Sequence, residues 1–410
     1  GRGGLIVATQ EQLVATARQL GQEKFLPRSA TYDREGRFPT ENYDDLREVG
    51  FLGLVIPERY GGLGVDYARY MEISAELGRW CGATALTFNM HCATMLWTSQ
   101  MADDLKMTPT QRYKHEKRRA GIYKKVIKDG AIFAQPFSEP NSAAAAGKAP
   151  FGTTAKKVRG GWRVNGRKHF ASLAGAANYY GVLCTEAKDV DEADVRDTIY
   201  LAIDGMADGF KITGDWDVLG MRATSSNNLE LTDVFVPNDH QLMPRGKYYQ
   251  AALNWPHMFM SLCPTYMGIA QAAFDFTCEY LRGEVDGGPP AGSARHSAAK
   301  QMAVAEMRIK LEQARALFER AVGEAAINPC KDERLRAYAA QYTVMEFAND
   351  ICRLALRTCG GRAIFRNLRL EQLYRDSRCG SLMLPWTPEI CMERLGRESL
   401  FDPSDHQKEL

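Results

Sequence analysis

Residues 156–172 read KKVRGGWRVNGRKHFAS, and this stretch decides the fold class because the hydrophobic period of the chain changes around it. Apolar and polar residues alternate through 156–164 on either side of Gly160-Gly161, which predicts a β-hairpin. A second turn is expected at residues 164–168. Further strand patterns follow at residues 179–185, 198–203 and 229–236. The sequence therefore predicts a small β-rich domain over residues 131–243.

Both flanks of this domain have the 3.6-residue hydrophobic period of helices. The predicted helices before it are 10–26, 40–50, 67–80, 83–101 and 111–129, and those after it are 258–281, 296–328, 331–359 and 388–400. Pro27 is expected to end the first helix. The predicted fold class is α+β and mostly α. It has an N-terminal helical domain (1–130), a middle small β-barrel or β-sandwich domain (131–243) and a C-terminal four-helix bundle (244–410).

Composition narrows the possible functions. A net charge of +2 over 410 residues gives no general attraction to nucleic acid. The ten cysteines include no CxxC pair, so no metal site is predicted and reduced thiols are expected. No apolar run reaches the roughly 20 residues of a membrane span. Residues 1–4 lack the apolar core of a signal peptide, and a cytoplasmic location is the expectation.

Short motifs spread along the chain resemble those of the acyl-CoA dehydrogenase family. In chain order they are REGRFP (34–39), GFLGLVIPERYGGLG (50–64), SEP (138–140), NGRKHFAS (165–172), LGMR (219–222), DVFVP (233–237), CGG (359–361) and YRD (374–376). Each motif is weak alone, but their number, order and spacing make chance agreement improbable. The resemblance implies FAD bound between the β-domain and the bundle, and α,β-dehydrogenation of an acyl-CoA thioester with hydride transfer to flavin N5.

The resemblance also assigns cofactor-binding positions. Phe137 and Ser138 would meet the pyrimidine side of the flavin, Phe170 would replace a stacking tryptophan, and Ser172 would lie near N5. A second group consists of Gly360 and Gly361, which would approach the FAD phosphates from a neighbouring subunit, and Thr387, which would lie near the ring. Hydroxyl groups, glycines and an aromatic ring suit these roles. Taken singly, Ser138 also fits a turn, Phe170 a core and the glycine pair a helix end.

The proton-accepting residue of the family is missing. A glutamate is expected a little over ten residues beyond Tyr-Arg-Asp, and here the two possible alignments place Leu384 or Pro385 there. An alternative position at the start of the bundle, residues 253–258, also lacks a carboxylate. We therefore consider His91 and Glu389 as replacement bases, because histidine and a carboxylate can both accept protons.

Each candidate base has a plain structural alternative. His91 could be a satisfied core residue. Glu389 follows Thr387 and Pro388, which are typical of the first turn of a helix. His257 is a third candidate, and Asp376 belongs to the Tyr-Arg-Asp motif, which favours a structural role.

Two further departures put CoA in question. Residues 256–259 replace an Asp/Arg region that contacts CoA in many members, and residues 282–290 replace an RxxFG motif. Arg357 stands where the family has the glutamine of QxxGG. It could pair with a pyrophosphate or be a solvated helix residue.

Three functions remain open at this stage. The first is an acyl-CoA dehydrogenase that passes electrons to an electron-transferring flavoprotein and forms a homodimer or homotetramer. The second is a flavin-dependent oxidase or monooxygenase acting on a substrate without CoA. The third is a non-catalytic partner subunit of a heteromeric dehydrogenase. Nucleic-acid binding is a distant fourth, although residues 112–128 contain eight Lys or Arg and one acidic residue, Glu116.

Overall fold

The computed structural model describes residues 8–187 and 193–401, so the expectation about residues 1–4 lies outside the described residues. Its helices before the sheet are α1 Gln10–Leu20, α2 Leu26–Glu35, α3 Thr40–Glu48, α4 Tyr67–Gly78, α5 Gly82–Leu96 and α6 Pro109–Asp129. A short helix, α7 Ser142–Ala145, follows the first strand. The helices after the sheet are α8 Lys247–Asn254, α9 Cys263–Leu281, α10 Ala298–Glu324, α11 Lys331–Cys359, α12 Leu370–Cys379 and α13 Pro388–Leu400. The predicted fold class is confirmed.

The first helical pattern contains one wrong prediction. Pro27 does not end a helix, because α1 continues through a π-helical turn at Gly21–Phe25 directly into α2. Proline cannot donate a hydrogen bond to the preceding turn, and the regular hydrogen-bond pattern is interrupted by the π-helical turn that lies just before Pro27. A second π-helical turn, Trp97–Met101, extends α5 in the same way.

The middle domain is a sheet built around the predicted hairpin. Its strands are β1 Phe133–Ala134, β2 Thr154–Val158, β3 Gly161–Ala171, β4 Tyr179–Glu186, β5 Thr198–Asp204, β6 Phe210–Thr213 and β7 Asn227–Pro237. The spatial order is β1-β4-β2-β3-β7-β6, with β5 paired to β4. The strands β2 and β3 pair antiparallel around Gly160, as the alternation predicted.

The second predicted turn, at residues 164–168, is wrong. The strand β3 runs straight through it, and its register against β7 shifts between Val164 and Gly166. Gly166 has a φ of 155°, and a Cβ there would lie 2.6 Å from the Cα of Thr153. The glycine therefore marks a β-bulge with close backbone approach, and not the end of a strand.

The C-terminal helices surround α11, which contacts α9, α10, α12 and α13. The C-terminal helices differ from the sequence prediction in two ways. The pattern at 258–281 divides into a 3-10 turn, Pro256–Met260, and α9. The helices α8 and α12 were missed because their eight and ten residues are short for a periodic signal.

The helical regions at the two ends of the chain meet along α4 and α9. A Cβ on Gly78 would lie 2.6 Å from the carbonyl oxygen of Thr265, and a Cβ on Gly268 would lie 2.6 Å from the backbone nitrogen of Arg79. Two glycines therefore let the helix backbones approach closely, as small residues do at tight helix crossings. This contact joins the N-terminal and C-terminal helical regions directly.

Two properties of the described residues bear on the class of protein. No described helix combines the length and the apolar character needed to cross a membrane. All ten cysteines are free thiols.

The glycine contact between α4 and α9 can be tested. We expect Gly268→Ala to lower the free energy of unfolding by about 1–3 kcal/mol, because the added methyl group overlaps backbone atoms that cannot rotate away. Denaturant unfolding followed by circular dichroism measures the change. Gly396→Ala is the control, since it lies within α13 with no atom within 4 Å of the new Cβ. It should raise stability by up to about 1 kcal/mol. Equal effects of the two substitutions would contradict the close contact.

Candidate active site

A cavity of about 590 Å³ lies where the N-terminal helices, the sheet and the C-terminal helices meet. Its walls come from α5 through Met90 and Ala93, from the loop after β1, from the end of β3, and from residues 382–385 after α12. Most of the lining is apolar. A cavity of this size and character is typical of a small-molecule site.

One wall of the cavity brings together four predicted cofactor-binding residues: Phe137, Ser138, Phe170 and Ser172. The backbone N–H of His169 donates to the carbonyl oxygen of Ser138 at 2.8 Å, which joins the two segments. Phe170 has a φ of 51° and its side chain is 63% exposed. An aromatic ring presented in this way on an apolar wall offers a stacking surface.

A chain of hydroxyl groups continues along this wall. The Ser172 Oγ lies 2.7 Å from the Ser226 Oγ, which lies 2.7 Å from the Thr224 Oγ1. Thr224 donates in turn to the carbonyl oxygen of Met221 at 2.9 Å. All three hydroxyl-bearing residues line the cavity. The set can present a hydroxyl donor or acceptor to a heteroatom on a bound ring.

A buried ion pair holds the wall in place. The Lys168 Nζ donates to the Glu139 Oε2 at 3.0 Å and to the carbonyl oxygen of Leu183 at 2.8 Å. Glu139 also accepts from the backbone N–H groups of Gly152 and Thr153, at 2.6 and 3.0 Å. Burial alone would raise the pKa of Glu139, but Lys168 and these donors hold the pKa below its usual value. The Glu139 carboxylate is therefore ionised, and both of its oxygens accept hydrogen bonds.

The wall formed by residues after α12 is apolar at the position where the base of the family is expected. Leu384 and Pro385 both line the cavity, so the segment in which the base was sought does face it. Glu139 is the one carboxylate residue among the described residues that line this cavity, and it is paired with Lys168. The described part of the cavity therefore offers no free carboxylate as a proton acceptor.

Family models match nearly the whole chain. The acyl-CoA dehydrogenase N-terminal, middle and C-terminal domains match residues 8–103, 134–234 and 248–398. The chain belongs to the acyl-CoA dehydrogenase family. The resemblance to this family that the sequence motifs indicated is confirmed.

Curated relatives are similar over most of their length. The putative acyl-CoA dehydrogenase YdbM of Bacillus subtilis (strain 168) is 26% identical over 386 residues, covering 92% of this chain and 94% of that protein. The human mitochondrial short-chain specific acyl-CoA dehydrogenase is 25% identical over 372 residues, covering 90% of this chain and 85% of that protein.

Solved structures share the fold. FMN-bound TdsC from Paenibacillus sp. A11-2 has a TM-score of 0.80 at 21% identity, with 95% of this chain and 97% of that chain covered. A nitrososynthase from Micromonospora carbonacea var. africana has a TM-score of 0.78 at 23% identity, with 97% and 98% covered. These similarities show that this chain has the same fold as the two solved structures.

Within this family fold, both ring nitrogens of His91 are hydrogen-bonded to backbone groups. Its Nε2 lies 2.7 Å from the carbonyl oxygen of Leu52, and the backbone N–H of Phe133 donates to its Nδ1 at 3.0 Å. Burial lowers the pKa of His91 to about 4, so the ring is neutral. His91 is not among the residues that line the cavity, while its neighbour Met90 is. This placement gives it a structural role and does not support proton transfer.

Glu389 and Thr387 lie at the start of α13. Thr387 is the N-cap and accepts a hydrogen bond from the backbone N–H of Ile390, and Glu389 is an exposed residue of the first turn. Neither residue lines the cavity. Their positions correspond to helix capping and dipole complementation.

The second group of predicted cofactor residues lies elsewhere. Arg357 is exposed in the last turn of α11, and Gly360 and Gly361 follow directly. A Cβ on either glycine would meet nothing within 4 Å, and none of the three residues lines the cavity. Within one chain they are not brought together with Phe137 and Phe170. The RxxFG replacement offers no free cation at Arg282, whose guanidinium is paired with Glu284 at 2.8 Å.

The other two titratable residues considered are buried. His257 is 0% exposed, and neither ring nitrogen has a hydrogen-bond partner among the described residues. Burial lowers its pKa to about 4. Burial raises the pKa of Asp376 to about 7, and its Oδ1 accepts the backbone N–H of Met221 at 2.7 Å. Neither residue lines the cavity.

The basic segment forms α6 and divides into two sides. Arg119 is buried and pairs with Asp103 at 2.8 Å, while Arg112 donates to the carbonyl oxygen of Leu105 at 2.8 Å. The exposed side carries Lys114, Lys117, Lys124 and Lys128.

Among the described residues, no group of three or more His, Cys, Asp or Glu side chains could hold a metal ion.

Some cavity residues were missed by sequence reasoning. Trp97, Tyr248 and Phe259 form part of the lining, with the Trp97 ring 5.1 Å from Tyr248 and 6.0 Å from Phe259. Their helical spacing could not be told from ordinary core. The hydroxyl cluster at 224–226 did leave a signal, since three consecutive hydroxyl residues follow the LGMR motif after one alanine, Ala223.

The ion pair of the wall gives a stability prediction. We expect Glu139→Gln to lower the free energy of unfolding by about 3–5 kcal/mol, because Lys168 is left buried without its counter-charge. Adding Lys168→Met should recover much of that loss. A double-mutant cycle in denaturant measures the coupling. Purely additive effects of the two substitutions would contradict the assigned pair.

The buried histidines give a pH prediction. His91 and His257 have folded pKa values of about 4, below the 6.5 of an unfolded histidine. Their stabilising effect is complete above pH 6.5 and is lost as the pH falls toward 4, because the unfolded chain then binds protons that the folded chain does not. We expect His257→Leu to reduce the pH slope of the unfolding free energy by up to about 1.4 kcal/mol per pH unit.

His91→Leu is the matched comparison for His257→Leu. It leaves the Leu52 carbonyl and the Phe133 N–H buried without partners, so at pH 7 it should cost about 1–3 kcal/mol for each group. His257→Leu removes no hydrogen bond. Denaturant titrations between pH 5 and pH 7.5 measure both effects. Equal losses at pH 7 would show that the two environments are not as assigned.

Proposed function

We propose that this chain is a flavin-dependent monooxygenase that acts on a small substrate with an apolar body and without CoA. The observation that carries the proposal is the cavity wall at Leu384 and Pro385, where neither side chain can accept a proton. Abstraction of an α-proton needs a base within hydrogen-bond reach of the substrate. The described lining supplies no free carboxylate, so a reaction without such a base fits the cavity better.

The cavity wall fits an isoalloxazine ring. Phe170 offers an exposed aromatic surface, and the hydroxyl groups of Ser138 and Ser172 can bond ring heteroatoms. A reduced flavin held there would supply the two electrons needed for dioxygen to deliver one oxygen atom to the substrate and one to water. The protein residues have different tasks. The Glu139–Lys168 pair fixes the wall, and Trp97 and Phe259 hold an apolar substrate body while excluding water.

The solved neighbours support this class of reaction. TdsC was solved with FMN and is described as a dibenzothiophene monooxygenase. A further neighbour, KijD3, was solved with FMN and a dTDP-linked amino-keto sugar, at a TM-score of 0.79 and 22% identity. Neither of the bound compounds is described as an acyl-CoA. A flavin site without a thioester substrate is thus compatible with this fold.

Acyl-CoA dehydrogenation is the second candidate function. It is favoured by the curated relatives, which are named acyl-CoA dehydrogenases and match at 25–26% identity. It would transfer a hydride from the acyl chain to flavin N5 and pass electrons to an electron-transferring flavoprotein. It also needs a proton acceptor, and His169 is the one histidine among the described residues that line the cavity.

A second copy of the chain would complete the cofactor site if the cofactor is FAD. Gly360 and Gly361 are open to solvent, and Ile364 and Phe365 beside them are 66% and 63% exposed. Large exposed apolar side chains of this kind favour contact with another subunit. A homodimer or homotetramer in the cytoplasm, where ten thiols stay reduced, is the assembly we propose.

Two reactions distinguish the candidate functions. With FMN, a flavin reductase, NADH and isotopically labelled dioxygen, we expect labelled oxygen in the product of at least one member of a panel of aromatic compounds. Mass spectrometry detects the label. Under anaerobic conditions, acyl-CoA thioesters of several chain lengths should leave the absorbance of the bound oxidised flavin unchanged. Bleaching by any acyl-CoA would reject the monooxygenase in favour of the dehydrogenase.

A substitution on the cavity wall at Ser172 tests whether the flavin binds in this cavity. Ser172→Ala should weaken flavin binding several-fold, because a hydrogen bond to the ring is lost. Ser399→Ala is the control, since the Ser399 hydroxyl donates only to the Leu395 carbonyl on the exposed side of α13. Equal flavin affinity of both variants would place the flavin elsewhere.

A further inference from the structure

Arg378 is a cation on the cavity wall without a counter-charge. It is an exposed residue in the last turn of α12 that lines the cavity, and its Nη1 donates to the Ser381 Oγ at 2.8 Å. No ion pair with a carboxylate is formed by Arg378 within the described residues. Arg375, one turn earlier, differs: it pairs with Asp33 and Glu371, each at 2.7 Å.

The charge balance of the described lining leaves Arg378 uncompensated. Glu139 is the lining carboxylate, and Lys168 at 3.0 Å already matches its charge. Burial raises the pKa of the Cys379 thiol to about 12 and that of the Tyr248 phenol well above its usual value, so both stay neutral. An unmatched cation beside apolar walls focuses its field into the cavity.

The shape of the lining indicates what carries the complementary charge. Trp97, Phe137, Tyr248 and Phe259 form connected aromatic contacts on the cavity wall, with Phe137 and Phe259 6.3 Å apart. Such walls favour a flat apolar body. A guanidinium binds a carboxylate or phosphate through two parallel hydrogen bonds.

We propose that Arg378 binds an anionic group of the substrate, so that the substrate class is a flat aromatic body bearing one carboxylate, sulfonate or phosphate. This specificity rests on the proposed function, since it takes the cavity as the substrate site. The flavin phosphate is the other source of an anion with the same chemistry. The proposal assigns Arg378 to the substrate, and the experiment separates the two sources.

The test compares two probes of equal shape and different charge. Isothermal titration calorimetry of the purified protein with 2-naphthoate and 2-naphthamide should show about tenfold tighter binding of the anion. Arg378→Gln should bring the ratio close to one and leave 2-naphthamide binding unchanged, while Arg378→Lys should keep part of the preference. Arg353→Gln is the matched control, because Arg353 is an exposed arginine of α11 outside the cavity lining.

The outcomes are decisive in either direction. The proposal is overturned if the wild-type protein shows no preference for the anion, including the case in which neither probe binds. It is also overturned if Arg378→Gln keeps the preference, or if this variant loses affinity for FMN relative to riboflavin but not for 2-naphthoate. These titrations use neither a reductant nor an oxygen-dependent step. A failed monooxygenase assay with an intact anion preference would therefore reject the reaction and retain the binding site.

Discussion

The contact of Arg375 and Asp376 with the loop before β7 is the constraint on which the cavity depends. Asp376 accepts the backbone N–H of Met221 at 2.7 Å, and Arg375 donates to the carbonyl oxygen of Leu219 at 3.0 Å while pairing with Asp33. One dipeptide thus joins a helix from each end of the chain to the β-domain. A Cβ on Gly220 would lie 2.7 Å from the carbonyl carbon of Arg375, so only glycine permits this approach.

This junction has a consequence for the electrostatics of the site. Burial raises the pKa of Asp376 to about 7, although the Met221 N–H lowers it. The carboxyl group is committed to the backbone and does not line the cavity. Asp376 therefore contributes to the position of the walls and not to proton transfer across them. The same division holds for Glu139, whose carboxylate is fixed by Lys168. In both cases a buried acid near the site has a structural role.

The sequence predicted the architecture where a pattern was long or repeated. The helix α11 and the strands of the central hairpin followed from their hydrophobic periods. The errors arose where tertiary contacts overrode a local signal. Pro27 sits where a helix can tolerate it, and Gly166 marks a bulge within a continuous strand. Both residues are turn formers by composition, and only the neighbouring backbone decides which role they take.

The site was predictable to a smaller extent, for a physical reason. Phe137, Ser138, Phe170 and Ser172 came from motifs, and the structure brings them to one wall. Arg378 could not be found in this way. It lies three residues after Arg375, which belongs to the YRD motif, and no motif in the sequence marks Arg378 itself. Their difference lies in Asp33 and Glu371, which take the first guanidinium and leave the second without an acid. Charge pairing over 342 positions of chain is not visible in a local pattern.

Membership of the family and the choice of reaction rest on different residues. The motifs that identify the family lie largely in the framework: the glycine-rich loop at 50–64, the Glu139–Lys168 pair and the Asp376 junction. A chain that keeps them keeps the fold, whatever its cavity does. The reaction depends on whether a proton acceptor faces the substrate, and that is decided by residues such as Leu384 and Pro385. Similarity over nine-tenths of the chain is therefore compatible with more than one chemistry, because Leu384 and Pro385 on the cavity wall are separate from the Glu139–Lys168 pair and the Asp376 junction.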